Sequence, residues 1–158
     1  GYHTFCKTKN NEIYCWGGNE SGQLGLGNTD NQHSPILCSF LRYENIIDIK
    51  IGYQHSLILT DNGHVYSCGS HALGQLGREC DSNPFTLFYR IPELPEIARI
   101  ECGYYHSMCI DVNNNLYVFG DNRYGQLGLG DDANRHTPIK HPSLSNIIDI
   151  SSKGYHNF

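Results

Sequence analysis

Four histidines keep one step along the chain: His3, His55, His106 and His156 stand 52, 51 and 50 residues apart. Thr4, Ser56 and Ser107 directly follow the first three. A histidine beside a hydroxyl is the raw material of a nucleophilic acyl-transfer centre, which also needs a carboxylate to orient the imidazole. No Asp or Glu accompanies every one of these pairs at a fixed offset. A catalytic centre is also one constellation of unlike groups, whereas here the same residue returns in each unit. The recurrence assigns His3, His55, His106 and His156 to structural loop support, hydrogen-bonding the backbone of a neighbouring loop, and assigns no catalytic residue.

Thiols offer the second possible chemistry. Cys6, Cys15, Cys38, Cys68, Cys80, Cys102 and Cys109 are odd in number and contain no C-x-x-C pair. No closely spaced cysteine pair meets a closely spaced histidine pair, so no metal site is assigned. The expectation is seven reduced thiols in a reducing compartment, cytoplasm or nucleus. The third possibility is phosphate binding by the glycine-rich runs Gly22 to Gly27 and Gly125 to Gly130. They lack the Lys-Ser/Thr of a phosphate loop and lead into no predicted helix. They read as turn glycines, and no cofactor is expected.

The elements that carry these residues follow from composition and repetition. The chain has 158 residues, 39% hydrophobic and only 17% charged, with 17 Gly, 15 Asn and 11 Tyr. That balance suits a turn-rich β protein rather than a helical bundle. The formal net charge of −5 supplies no bulk attraction to nucleic acid or to an anionic membrane. No apolar run reaches the roughly 18–20 residues of a spanning helix, and residues 1–5 carry no basic-then-apolar targeting pattern.

Three segments superimpose: Ile13 to Gly17 with Gly22-Gln23-Leu24-Gly25, Val65 to Gly69 with Gly74-Gln75-Leu76-Gly77, and Leu116 to Gly120 with Gly125-Gln126-Leu127-Gly128. The approximate units are 1–51, 52–102 and 103–153, with a fourth motif starting at 154–158. Ile46 to Ile51, Ile97 to Cys102 and Ile147 to Ser152 read as a first strand. Gln54 to Thr60 reads as a second and Val65 to Gly69 as a third, joined through Asn62-Gly63, for which a type I′ turn is expected. A four-stranded antiparallel unit in tandem predicts an all-β fold of three propeller blades. In this alignment Cys6 takes the place of Ile58 and Cys109, and Cys68 that of Trp16 and Phe119. Cysteine thus interchanges with core residues, which predicts buried packing for Cys6, Cys68 and Cys109.

Gly52-Tyr53-Gln54-His55-Ser56-Leu57, then Val65-Tyr66-Ser67-Cys68-Gly69, then Gly74-Gln75-Leu76-Gly77 resembles the regulator of chromosome condensation repeat. The resemblance covers practically the whole chain and implies membership of a propeller, seven-bladed as a rule in that family. It also implies a range of roles: guanine-nucleotide exchange on Ran-type small GTPases, chromatin docking, and partner-binding modules of ubiquitin ligases, kinases and ciliary proteins. The residues its exchange factors use lie on loops that vary within the family, so none is carried over to this chain. Its ultraviolet sensors cluster tryptophans, whereas this chain has only Trp16. Lys50 and Glu101 depart from the family's small residues, and Lys153 replaces the glycine of Gly52 and Gly103.

Function is expected where the units differ. Glu20-Ser21, Ala72-Leu73 and Arg123-Tyr124 precede the three Gly-Gln-Leu-Gly segments, which place unlike chemistry in one frame as partner-binding candidates. The frame itself is assigned to Gly22, Gly25, Gly74, Gly77, Gly125 and Gly128. The loop from Arg78 through Cys80 and Pro84 to Phe85, continuing to Phe88, Tyr89 and Arg90, is a second candidate partner anchor. The leading expectation is a non-enzymatic interaction module, possessing or lacking exchange activity on a small GTPase. The alternative is a scaffold or substrate-binding propeller of a larger multidomain protein. A propeller lyase or hydrolase would need a converging constellation that the repeating register does not supply. Three blades are too few to close a ring, so further blades or self-association are expected.

Overall fold

The computed structural model describes residues 1–39, 44–79 and 85–157. Among the described residues thirteen strands arise, because β-branched and aromatic runs alternate with Gly, Asn and Asp turns: β1 (His3–Lys7), β2 (Ile13–Gly17), β3 (Gln32–Leu37), β4 (Ile46–Ile51), β5 (His55–Thr60), β6 (Val65–Gly69), β7 (Tyr89–Arg90), β8 (Ile97–Cys102), β9 (His106–Asp111), β10 (Leu116–Gly120), β11 (Arg135–Lys140), β12 (Ser152–Lys153) and β13 (His156–Asn157). All pairings are antiparallel between sequence neighbours, giving sheets β1-β2-β3, β4-β5-β6-β7, β8-β9-β10-β11 and β12-β13. Two blades are thus complete with four strands. β1 is the counterpart of β5 and β9, and its sheet has three strands among the described residues. The sheets also begin with β4 and β8, ahead of residues 52 and 103.

The core lies between the blades. Ile13, Cys15, Leu24 and Cys38 of the first sheet pack with Ile46, Ile58, Cys68 and Phe88 of the second. Leu57, Leu59, Val65, Ile91 and Leu94 of the second pack with Ile97, Ile100, Cys102, Cys109 and Phe119 of the third. Successive residues of a strand point to opposite faces. Ile58 therefore serves one interface while Leu57 and Leu59 serve the next, and β5 and β9 are buried throughout. β1 has a neighbour on one face only. Cys6, on its open face, is exposed rather than buried like its counterparts Ile58 and Cys109. Cys80 lies outside the described residues.

The second-to-third strand hairpins differ from the expected type I′ turn. Five residues, not two, separate the last pairs Lys7↔Ile13, Leu59↔Val65 and Ile110↔Leu116. In each loop one residue alone has positive φ: Asn11 at 66°, Gly63 at 74° and Asn114 at 62°. An i+3 amide bonds back to the loop's first carbonyl, as from Gly63 N to Thr60 O at 3.0 Å. That is the longer hairpin of a type I turn closed by one left-handed residue.

Candidate functional site

Antiparallel order puts the first-to-second and third-to-fourth loops of every blade on one face. Backbone bonds tie them together: Gly18 N to Tyr2 O, Ser70 N to Gln54 O and Asp121 N to Tyr105 O, at 2.8, 2.8 and 2.9 Å. The histidine stands opposite the glycine that ends the third strand, as in His3↔Gly17, His55↔Gly69 and His106↔Gly120.

The histidine's partner comes from the next blade. His3 Nε2 lies 2.8 Å from Ser56 Oγ, and Ser56 Oγ donates to Gln23 O at 2.7 Å. His55 Nε2 lies 3.0 Å from Ser107 Oγ, which donates to Gln75 O at 2.9 Å. His106 Nε2 lies 2.6 Å from Asn157 Oδ1, and the amide of Asn157 donates to Gln126 O. Each relay thus runs from a histidine, through the following unit, back to the glycine-rich loop of the histidine's own unit. The expected direct bond to loop backbone is replaced by this relay. The serine proton is committed to a carbonyl, so Nε2–H is the donor and Nδ1 keeps a bare lone pair. Burial agrees, lowering His3 to about 4, His55 to about 3, and His106 below its usual value. A neutral imidazole that donates to serine cannot deprotonate it.

Gly52 and Gly103 have no positive φ; they are needed for space. A Cβ there would fall 2.1 Å from His55 Cε1 or 2.0 Å from His106 Cε1. At the fourth motif Lys153 of β12 stands instead, and His156 of β13, paired opposite it, is exposed. His156 is thus outside the buried relay among the described residues. Lys50 and Glu101 also find a reason: they pair at 3.2 Å between adjacent inner strands, and Arg99 pairs with Asp149 at 3.0 Å.

The glycine-rich loops hold the variable residues in one frame. The Gln side chain bends back to accept an amide hydrogen: Ser21 N to Gln23, Leu73 N to Gln75 and Tyr124 N to Gln126, at 2.9, 2.9 and 3.0 Å. Glu20, Ala72, Arg123 and Tyr124 are exposed, and Ser21 and Leu73 half-buried. Arg123 is committed to Asp121, whose buried carboxylate takes Nε at 2.8 Å and Nη2 at 3.1 Å. Burial alone would raise the Asp121 pKa, but the Arg123 fork lowers it. Gly22, Gly25, Gly74 and Gly77 are buried beneath the following blade, whereas Gly125 and Gly128 are exposed.

Two features were absent from the sequence reading. Asn19 and Asn122 are fully buried hubs. The Asn122 side chain accepts from Leu127 N and donates to the Asp131 carbonyl, both at 2.9 Å, and Asn19 does the same with Leu24 and Asn28. In the second blade His71 takes this place and stacks on Phe85 at 3.7 Å, with Arg78 over Phe85 and Tyr89. Phe88 is wholly buried. The proposed aromatic anchor therefore packs on the protein itself where it is described, while residues 80–84 lie outside the described residues.

The other feature is a tyrosine arc. Tyr2–Tyr53, Tyr53–Tyr104, Tyr104–Tyr155 and Tyr155–Tyr124 ring centroids are 5.9, 5.8, 5.4 and 5.7 Å apart, crossing at 52–78°. Tyr105 packs beside Tyr53 and Tyr155. Tyr53 N donates to Tyr104 O and Tyr104 N to Gly154 O, so the backbone carries the arc from blade to blade. Tyr2 is 79% and Tyr124 75% exposed. Neighbouring phenols, Tyr2 first, raise the Tyr53 pKa, and burial raises that of Tyr105, so both stay neutral. The recurrent Gly-Tyr of Gly1-Tyr2, Gly52-Tyr53, Gly103-Tyr104 and Gly154-Tyr155 was the available signal.

The profile of the regulator of chromosome condensation (RCC1) repeat matches residues 10–59, 62–110 and 113–158. The chain belongs to this repeat family. It is 39% identical over 135 residues to the RCC2 homolog of Danio rerio, covering 83% of this chain and 27% of that protein. It is 33% identical over 144 residues to the probable E3 ubiquitin-protein ligase HERC3 of Homo sapiens, covering 87% of this chain and 13% of the ligase. Among solved structures, Prp20p of Saccharomyces cerevisiae superimposes with a TM-score of 0.90 at 25% identity, covering 97% of this chain and 40% of Prp20p. The all-β fold of propeller blades is therefore that of RCC1 repeats. This chain spans about a quarter of the RCC2 homolog's length. Among the described residues no three His, Cys, Asp or Glu are grouped to hold a metal ion, and no helix is long and apolar enough to cross a membrane.

Proposed function

We propose that this chain is part of a non-enzymatic RCC1-type propeller that docks a protein partner on its tyrosine-lined face, in the cytoplasm or nucleus. The observation that carries this is the arc Tyr2–Tyr53–Tyr104–Tyr155–Tyr124, exposed except for the half-buried Tyr53 and framed by Glu20-Ser21, Ala72-Leu73 and Arg123-Tyr124. Tyrosine supplies large amphipathic contact area with little rotamer entropy to lose, the chemistry of a protein interface core. The arc sits on loops cross-tied to a buried scaffold, which keeps it preorganised.

The more specific reading is regulation of, or guanine-nucleotide exchange on, a Ran-type small GTPase. It is supported by the likeness to Prp20p, a structure reported with that protein's binding to Gsp1p and histones. An exchange factor needs no bond chemistry; it binds the nucleotide-free GTPase more tightly than the loaded one and so shifts its equilibrium. No cofactor or metal enters this reading, and chromatin contact would run through protein. A second reading, a scaffold or substrate-binding propeller of a larger protein, is favoured by the relatedness to HERC3. Further blades, seven in all, or self-association would complete the ring.

The test uses the full-length protein and a Ran-type GTPase loaded with a fluorescent guanine nucleotide. Accelerated release, lost in a Tyr104→Ser/Tyr124→Ser variant, is the expected result. Binding without accelerated release selects the scaffold reading. Binding unaltered by the double substitution removes the tyrosine face from either.

A further inference from the structure

The tyrosine arc turns a corner at its last member. Ser21, Leu73 and Tyr124 hold the same place ahead of Gly22, Gly74 and Gly125, so the third loop alone brings an aromatic ring to this position. The Tyr124 and Tyr155 rings stand 5.7 Å apart and cross at 78°, while Tyr104 meets Tyr155 from 5.4 Å at 75°. Two rings at nearly a right angle leave a corner in which both π faces are open. That corner is a cavity of about 450 Å³ walled by Tyr124, Tyr155 and His156. Tyr124 is 75% exposed and Tyr155 39%, so it opens to solvent.

The lining selects the ligand. The face of a phenol ring is the negative end of its quadrupole and attracts a cation. Among the described residues no carboxylate lines the cavity. Arg123 is the charged neighbour of Tyr124 and Tyr155, but its Nε and Nη2 are held on the buried Asp121 at 2.8 and 3.1 Å, so that pair adds no net charge. A primary ammonium or a guanidinium would turn its N–H donors towards rings, with no carboxylate to accept them. A quaternary ammonium has no donor to satisfy. We propose that the Tyr124–Tyr155 corner is an aromatic cage for a trimethylammonium group, carried as trimethyl-lysine on the protein partner. The proposal rests on the docking reading above and names the side chain that enters this face. The methyl groups pack on the two rings and bring the positive charge against their faces. The formal charge of −5 on the chain favours the approach of a basic segment.

The full-length protein, isotopically labelled in its tyrosine rings, is titrated by nuclear magnetic resonance with N-acetyl-trimethyl-lysine amide. Two controls are the unmethylated lysine compound and the uncharged analogue in which carbon replaces the quaternary nitrogen. The expected result is a saturable shift of the Tyr124 and Tyr155 ring signals by the trimethylated compound, with both controls binding at least about fivefold more weakly. Tyr124→Phe keeps the ring and should retain binding. Tyr124→Leu, with native circular dichroism, should weaken it by about the same fivefold factor. Equal binding of the uncharged analogue would overturn the proposal by making the corner a plain apolar pocket. Equal binding of unmethylated lysine would overturn the selection of a quaternary cation. If GTPase binding is lost in Tyr104→Ser/Tyr124→Ser but the trimethylated compound moves no tyrosine signal, the cage falls and the docking reading stands. If the compound moves both signals while GTPase binding ignores the double substitution, the cage stands and its partner is a different protein.

Discussion

Gly74 and Gly125 hold the same place in successive glycine-rich loops, with φ of +86° and +70°. A methyl group would affect them differently. At Gly74 a Cβ would fall 2.2 Å from the backbone oxygen of Arg135 in the next blade; at Gly125 nothing lies within 4 Å. Gly77 and Gly128 differ in the same sense, with the Phe119 ring at 2.7 Å in one case and His141 Nε2 at 3.2 Å in the other. One motif residue therefore meets two separate demands. The loop itself requires positive φ in both units, and the following blade requires the absence of a side chain only where a blade is packed.

The largest effect expected from this contrast is on Gly74→Ala, which adds a backbone clash to left-handed strain and should lower unfolding stability by about 3 kcal/mol. Gly125→Ala should lower it by about 1 kcal/mol, the strain alone. Denaturant titration of both variants in the 158-residue chain measures the gap. In the full-length protein, equal losses would mean that a further blade or a second copy covers Gly125, which sharpens the ring-completion proposal.

The relay contrasts in the same way. Ser107→Ala leaves the buried His55 Nε2–H and Gln75 O without a partner and should cost about 2 kcal/mol. Asn157→Ala, at an exposed site, should cost about 0.5 kcal/mol by comparison. Hydrogen exchange of the Leu76 amide and its neighbours reports whether the loss is local to the relay.

Acid probes the buried histidines together. Unfolded, His3 and His55 take a proton near 6.5; folded, only near 4 and 3. Between those values the unfolded state binds more protons, so stability is full above about pH 6.5 and falls as pH drops towards 4. The slope is about 1.4 kcal/mol per pH unit for each fully shifted histidine. Unfolding midpoints across pH 7 to 4 should show it, and His55→Gln should flatten it. A slope that His55→Gln leaves unchanged would place the acid sensitivity elsewhere.

The smallest stability effect is expected on the exposed arc. Tyr124→Ser should change stability by about 0.5 kcal/mol or less and yet weaken partner binding. A stability loss as large as that of Ser107→Ala would make Tyr124 part of the scaffold rather than of the docking face.

Period and residue type determined the repeat, the strands and the family, because each is a local pattern that survives without knowledge of neighbours. Ile46 to Ile51 could only be a strand, and Gly-Gln-Leu-Gly only a turn. The turn class was missed at Asn62-Gly63, since loop length depends on where pairing stops and not on the two central residues. Tertiary structure decided everything that one blade does to the next. It exposed Cys6 while burying Cys109, drew Ser107 to His55 across 52 residues of chain, and turned Lys50 and Glu101 from departures into a pair. It made an arc of tyrosines that lie 51 residues apart in sequence, at Tyr53, Tyr104 and Tyr155. The physical reason is that burial in a stacked repeat is supplied by the following unit, so a residue's environment is written into a segment some fifty positions away.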